Sequence, residues 1–286
     1  MRSEQQVIDQ VLAFARDHDM VKAVAMNGSR VNPNTPKDLF CDYDICYYVT
    51  NPRRFLEDQG WIDDFGKLII LQQNDDFTHG DESFIFLMLF SDGVRIDLSF
   101  AALSELAYLT EDTLTVVLVD KGQRIAPLPP PSESGYFTAK PSRKEFAEAV
   151  NEIFWCSNNI AKGIWRDELP YAKAMYDVVV RDPILKMLAW YAAMLYDWKL
   201  NTGKFGRRLK YFLPPEIWEA YVMTYAGAGY PETWDALFEA LSLVRKVGLE
   251  LAENLDFDYP LEDDRRVNEY LQRVRALPKD AVSYDE

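Results

Sequence analysis

Between residues 3 and 17 the apolar positions Val7, Ile8, Val11, Leu12 and Ala15 recur at the three- and four-residue spacing of one helix face. Apolar runs of strand length follow at 21–26, 43–49, 67–72, 84–90, 94–100 and 115–119. Two of them alternate cleanly. Tyr43, Ile45, Tyr47 and Val49 share one face of 43–49, and Val94, Ile96, Leu98 and Phe100 share one face of 94–100. The pair 84–90 and 94–100 is joined through Asp92-Gly93, a hairpin turn signal. Short helices are expected over 52–59 and 103–109. The first half therefore reads as a mixed sheet with flanking helices.

Residues 126–141 hold five prolines and no helical period, as a linker or an extended strap does. Beyond them the pattern is helical: about 143–163, 168–200, 206–212, 215–226, 231–256 and 261–276. Ser142 with Glu145 three residues on fits a capping box. Pro215 and Pro231 fall at helix starts, where the missing N–H does no harm. The fold class is α+β, a mixed β-sheet with flanking helices followed by an all-helical C-terminal domain. The domain division is 1–135 and 136–286.

Composition narrows the chemistry. The 286 residues carry a net charge of −15, which disfavours nucleic acid, since phosphate contacts need a basic surface. The same charge would attract a polycationic small molecule. The charged start lacks the apolar stretch of a leader, and no apolar run approaches the ~20 residues of a membrane span. A soluble, cytoplasmic protein without membrane contact is the expectation. The two histidines, His18 and His79, make a histidine-based zinc site or catalytic triad improbable, and three cysteines form no C-x-x-C. Any metal would be held by carboxylates, which suits a hard ion such as magnesium.

Carboxylates of that kind stand where strands present polar faces. Asp42 and Asp44 fall on one side of an extended segment, their β-carbons ~7 Å apart. Like charges so placed call for something positive between them. Arg95, Asp97 and Ser99 form the polar face of 94–100, and Gly28-Ser29-Arg30 ends the 21–26 strand, where glycine lets backbone N–H groups approach a phosphate. An Asp-x-Asp is usually a solvated edge, and Gly-Ser is a common turn pair. The order is what carries weight: strand, Gly-Ser, a strand with the Asp pair, then a third Asp after a hairpin.

With its "GSR…DYDI…RIDLSF" series the chain resembles the nucleotidyltransferase superfamily and, more closely, the aminoglycoside 6-adenylyltransferases (streptomycin adenylyltransferases). The similarity extends to 117–125, 140–146, 151–155, 161–169 and 185–191, so it covers nearly the whole chain. It implies a nucleotidyltransferase domain at 1–135 and a helical substrate-binding domain at 136–286. It implies magnesium-dependent transfer of AMP from ATP to a hydroxyl of a streptomycin-like aminoglycoside, releasing pyrophosphate and inactivating the drug. Asp42, Asp44 and Asp97 are then the metal-binding and catalytic set, with a carboxylate, Asp97 first among them, as the general base. Gly28, Ser29, Arg30, Asp120 and Lys204 bind the nucleotide, and Glu168 the cationic acceptor. Asp167, Asp177, Trp155, Trp165 and Trp190 are further candidates for the acceptor pocket. "TGK" at 202–204 is no phosphate loop of the Walker type, because Phe205 stands where Ser or Thr is needed. The chain departs from the family's Glu-Gly-Ser-Arg at Asn27. The alternatives are a different small-molecule or protein hydroxyl as acceptor, or a non-catalytic nucleotide-binding protein on the same scaffold. The sequence leaves the oligomeric state open.

Overall fold

A computed structural model describes residues 1–76 and 83–284; His79 lies outside the described residues. The chain separates into two compact units, Met1–Gly135 and Tyr136–Glu286.

Among the described residues the first unit is built on six strands: β1 (Val21–Asn27), β2 (Tyr43–Val49), β3 (Leu68–Asp76), β4 (Ser83–Phe90), β5 (Arg95–Ala102) and β6 (Thr115–Asp120). Their order is β3-β4-β5-β2-β1-β6. Among the described residues only β2 and β5 pair in parallel, so the sheet is mixed. The alternation in β2 and β5 has the expected result. Tyr43, Ile45, Tyr47 and Val49 are buried with Ile96, Leu98 and Phe100 under α1 (Glu4–Asp17), α2 (Arg53–Glu57) and the 3-10 segment Gly60–Phe65. His18 closes α1, half-buried and stacked on the core residue Phe14 with ring centroids 3.9 Å apart. The opposite sheet face has a smaller apolar cluster of Ala23, Ala25, Tyr48, Ala101 and Leu109. Asp44 and Asp97 lie on that sparsely covered face. Where a helix was expected at 103–109, the chain forms a 3-10 turn over Leu103–Tyr108.

The second unit is helical: α3 (Arg143–Trp165), α4 (Leu169–Ala174), α5 (Arg181–Leu195), α6 (Leu209–Phe212), α7 (Pro215–Met223), α8 (Tyr230–Leu255) and α9 (Leu261–Ala276). Ser142 and Glu145 form the expected capping box, and Ser3 with Gln6 forms another at the start of α1. The expected helix over 168–200 differs in two ways. A π-helical turn, Met175–Val180, joins α4 to α5. The chain then leaves the helix after Leu195, because Asp197 and Trp198 take left-handed φ values of 53° and 61°. A side chain in that region is strained, so an apolar pattern running on to Leu200 did not reveal the stop. Among the described residues no helix is long and apolar enough to cross a membrane.

Candidate active site

Register brings the polar residues together. Antiparallel pairing sets Asn27 opposite Asp44, and parallel pairing sets Asp44 opposite Asp97. Adjacent strands are about 4.8 Å apart, so the two carboxylates are immediate neighbours on one face. Burial pushes the Asp44 carboxyl up to about 6, and the negative charges of Asp97 and Asp42 push the same way against the pull of Arg95. Removing solvent and adding like charge both disfavour the ionised form. Asn27 is tied back by its amide, which donates to Asp112 at 3.2 Å and to Thr115 at 2.7 Å.

Arg95 supplies the positive charge that the aspartates require. Its Nε and Nη2 donate to the two oxygens of Asp97 at 2.8 and 2.6 Å, and its Nη1 lies 3.6 Å from Asp42. The sequence placed Arg95 on the polar face of its strand without giving it a role. Its partner two residues on was legible from alternation, since residues i and i+2 share a face. Its reach to Asp42 depends on the β2–β5 pairing, which no local pattern announces.

Asp42 itself stands just outside the ladder, because β2 begins at Tyr43. Its place is fixed by Arg30, which donates from Nε to the Asp42 carbonyl at 3.2 Å, to the Cys41 carbonyl, and to Glu4 at 2.8 Å. The Arg30 guanidinium also covers the Tyr43 ring at 3.7 Å and is 6% exposed. Expected as a nucleotide contact, Arg30 faces inward here and fastens the segment that enters β2.

Gly28 has φ +75°, and a β-carbon built on it would come 2.4 Å from Asp44 Oδ2. Only glycine allows both the backbone angle and the close approach. Its N–H donates to the Leu114 carbonyl at 3.0 Å, so Gly28 contributes space beside Asp44 and not an amide for a phosphate. Ser29 Oγ lies 3.4 Å from Cys41 Sγ.

Asp120 stands apart. It pairs with Ala23, whereas Asp44 pairs with Asn27, four residues further along β1. At ~3.3 Å per residue that is about 13 Å. Both Asp120 oxygens accept backbone amides, from Arg124 at 3.0 Å and Ile125 at 2.9 Å. It shapes the turn after β6 and does not join the aspartate set.

In the helical unit Lys204 is exposed at the start of the 3-10 turn Lys204–Gly206, its Nζ 5.4 Å from the Phe205 ring. Glu168 is exposed at the start of α4 and caps no backbone amide with its side chain. Asp167 accepts from the Tyr230 hydroxyl at 2.8 Å, and Asp177 pairs with Lys173 at 2.9 Å. Trp155 is exposed, while the Trp165 indole donates to the Pro278 carbonyl and Trp190 is half-buried.

The donors around Arg95 are hard oxygens in excess of the positive charge they surround, and the guanidinium marks a place where a cation is held. These residues suit a divalent ion such as magnesium. As the side chains stand, no three His, Cys, Asp or Glu among the described residues converge to ligate one, and Asp97 has both oxygens turned to Arg95.

A model of the streptomycin adenylyltransferase family matches residues 1–274. An aminoglycoside 6-adenylyltransferase of Campylobacter jejuni is 35% identical over 279 residues, covering 96% of each chain. One from Bacillus subtilis (strain 168) is 33% identical over 285 residues, 98% of this chain and 100% of the relative. The crystal structure of an aminoglycoside 6-adenyltransferase from Bacillus subtilis is 29% identical and covers 97% of this chain and 100% of that one, with a TM-score of 0.49, too low to bear on the fold. The family match runs from the first residue through both units, and this chain belongs to the streptomycin adenylyltransferase family of nucleotidyltransferase enzymes.

Proposed function

We propose that the protein transfers AMP from ATP to a hydroxyl of a streptomycin-like aminoglycoside, releasing pyrophosphate, in a magnesium-dependent reaction. The observation that carries this reading is the Asp44–Asp97 pair across parallel strands beside Gly28, in a chain whose relatives are named for aminoglycoside adenylylation. Met1–Gly135 is the nucleotidyltransferase domain, and the helical unit binds the acceptor. Asp42, Asp44 and Asp97 would hold magnesium. When bound, the ion neutralises phosphate charge and acidifies an acceptor hydroxyl. Asp97 takes the hydroxyl proton as general base, at a position fixed by β5. Ser29 offers a hydroxyl to the nucleotide phosphates, and Gly28 keeps the turn close to Asp44. Arg30 sets the approach of Asp42 from behind. Lys204 as a nucleotide ligand and Glu168 as an acceptor ligand are carried over from the family resemblance.

The test is pyrophosphate release from ATP and magnesium across a panel of aminoglycosides and neutral oligosaccharides. Streptomycin should support release and the neutral sugars should not. ATP binding without release on any aminoglycoside would replace this acceptor class with another.

A further inference from the structure

The Arg95 guanidinium occupies the ground that a divalent cation would need. Its two bonds take both oxygens of Asp97, and it approaches Asp42 from the same position. One guanidinium thus faces Asp97 and Asp42, with Asp44 beside Asp97 on the neighbouring strand. Arg95 is also free to leave. Its side chain is 45% exposed and borders a cavity of about 500 Å³ together with Asp38, Phe40 and Asp42. Its backbone would not need to move, being held in the ladder opposite Leu89 of β4.

We propose that Arg95 is the resident counter-ion of the aspartate set. It holds Asp97 and Asp42 in the metal-free protein, and a divalent cation gains those carboxylates by displacing it into the adjoining cavity. The inference rests on the reading of Asp42, Asp44 and Asp97 as metal ligands. Arg95 is a positioning residue: it keeps like charges together until the ion arrives, and its bidentate grip makes ion binding an exchange and not an addition.

The experiment measures binding of Mn2+, as a stand-in for magnesium, to the full-length, nucleotide-free protein by the electron spin resonance of the free ion. Arg95→Met should tighten Mn2+ binding about fivefold, the upper range for a partly exposed pair. Arg95→Lys keeps the charge but not the two-pronged grip, and should still tighten binding about twofold. Lys37→Met removes a charge from the same cavity without touching Asp97, and should leave the affinity at the wild-type value. Thermal unfolding should show Arg95→Met less stable without Mn2+ and restored by it. Unchanged or weaker Mn2+ binding in Arg95→Met would overturn the proposal. So would tightening in Arg95→Met with none in Arg95→Lys, since charge alone would then be acting. Failure of the wild type to take up Mn2+, with or without ATP, would instead remove the metal-ligand reading beneath it.

Discussion

Bidentate arginine–aspartate pairs occur in both units, and two of them, one from each, are built to opposite ends. In the helical unit, Arg245 of α8 holds Asp264 of α9 through two bonds of 2.6 Å. Asp264 is 1% exposed and is completed by the Tyr259 hydroxyl at 2.9 Å and the Asn268 amide at 2.7 Å. One carboxylate meets one guanidinium and two neutral donors, so the charge balances and the acceptors are filled. In the sheet, Arg95 grips Asp97 just as closely but shares its charge with Asp42 and Asp44. Bond length does not separate the two pairs. Their company does: Asp264 has two neutral donors besides its arginine, while Arg95 also faces Asp42 beside the Asp44 carboxylate.

The sharpest way to break the contrast is at Asp44. Asp44→Asn removes one of the crowded charges. AMP transfer should fall by at least ~10³, within the scale of lost electrostatic and acid–base contributions. Folding stability without metal should be equal or higher. Retained activity, or loss of activity through unfolding alone, would cancel the difference between the pairs.

Asp264→Ala should do the reverse. A buried guanidinium partner left without its carboxylate typically costs about 3–5 kcal/mol, and Arg245 is partly exposed, so about 2–3 kcal/mol is expected. Chemical denaturation measures it, and kcat per folded molecule should stay at the wild-type value. A stability loss under ~0.5 kcal/mol would make this pair as dispensable as an ordinary surface bridge.

A third comparison is with pH. The folded-state Asp44 carboxyl is raised from 3.8 to about 6, so the fold binds a proton more tightly than the unfolded chain does. The sign follows: below pH ~4 both states are protonated and Asp44 costs nothing. Between about 4 and 6 the unfolded chain ionises first and stability falls. Above about 6 the full penalty applies, at most about 3 kcal/mol. Denaturation of the metal-free protein should show this fall, and Asp44→Asn should abolish it. The same slope in both proteins would assign the dependence elsewhere.

The smallest effect is expected at Glu168, an exposed carboxylate in the helical unit. Glu168→Gln should raise KM for the aminoglycoside about two- to fivefold, shrinking as salt rises, with KM for ATP unchanged. An effect on ATP alone would show that the carboxylate does not face the acceptor.

Much of this contrast was legible beforehand. Period-two alternation placed Asp44 and Asp97 on polar faces, and the hydrophobic partners Ile45 and Leu98 fixed which face was buried. Their adjacency follows from a parallel β2–β5 pairing, which joins residues more than fifty positions apart and leaves no local trace. Arg95 was placed on the polar face without a role for that reason. Asp120 differs from these. Its place at the end of a strand was right, but register set it at the far end of β1, where two backbone amides hold it. In the helical unit Ser142 and Pro215 marked helix starts as expected. The π-helical turn escaped because apolar residues on both sides keep a helical spacing.

Position 28 has a consequence for the gene as well as for the site. Every single-base change in a glycine codon that alters the residue adds a side chain or stops the chain. Here any such side chain begins 2.4 Å from an Asp44 oxygen, on a backbone turned to φ +75°. Single-base changes of this codon that alter the residue are therefore expected to lower activity, which a set of position-28 variants assayed for AMP transfer would show.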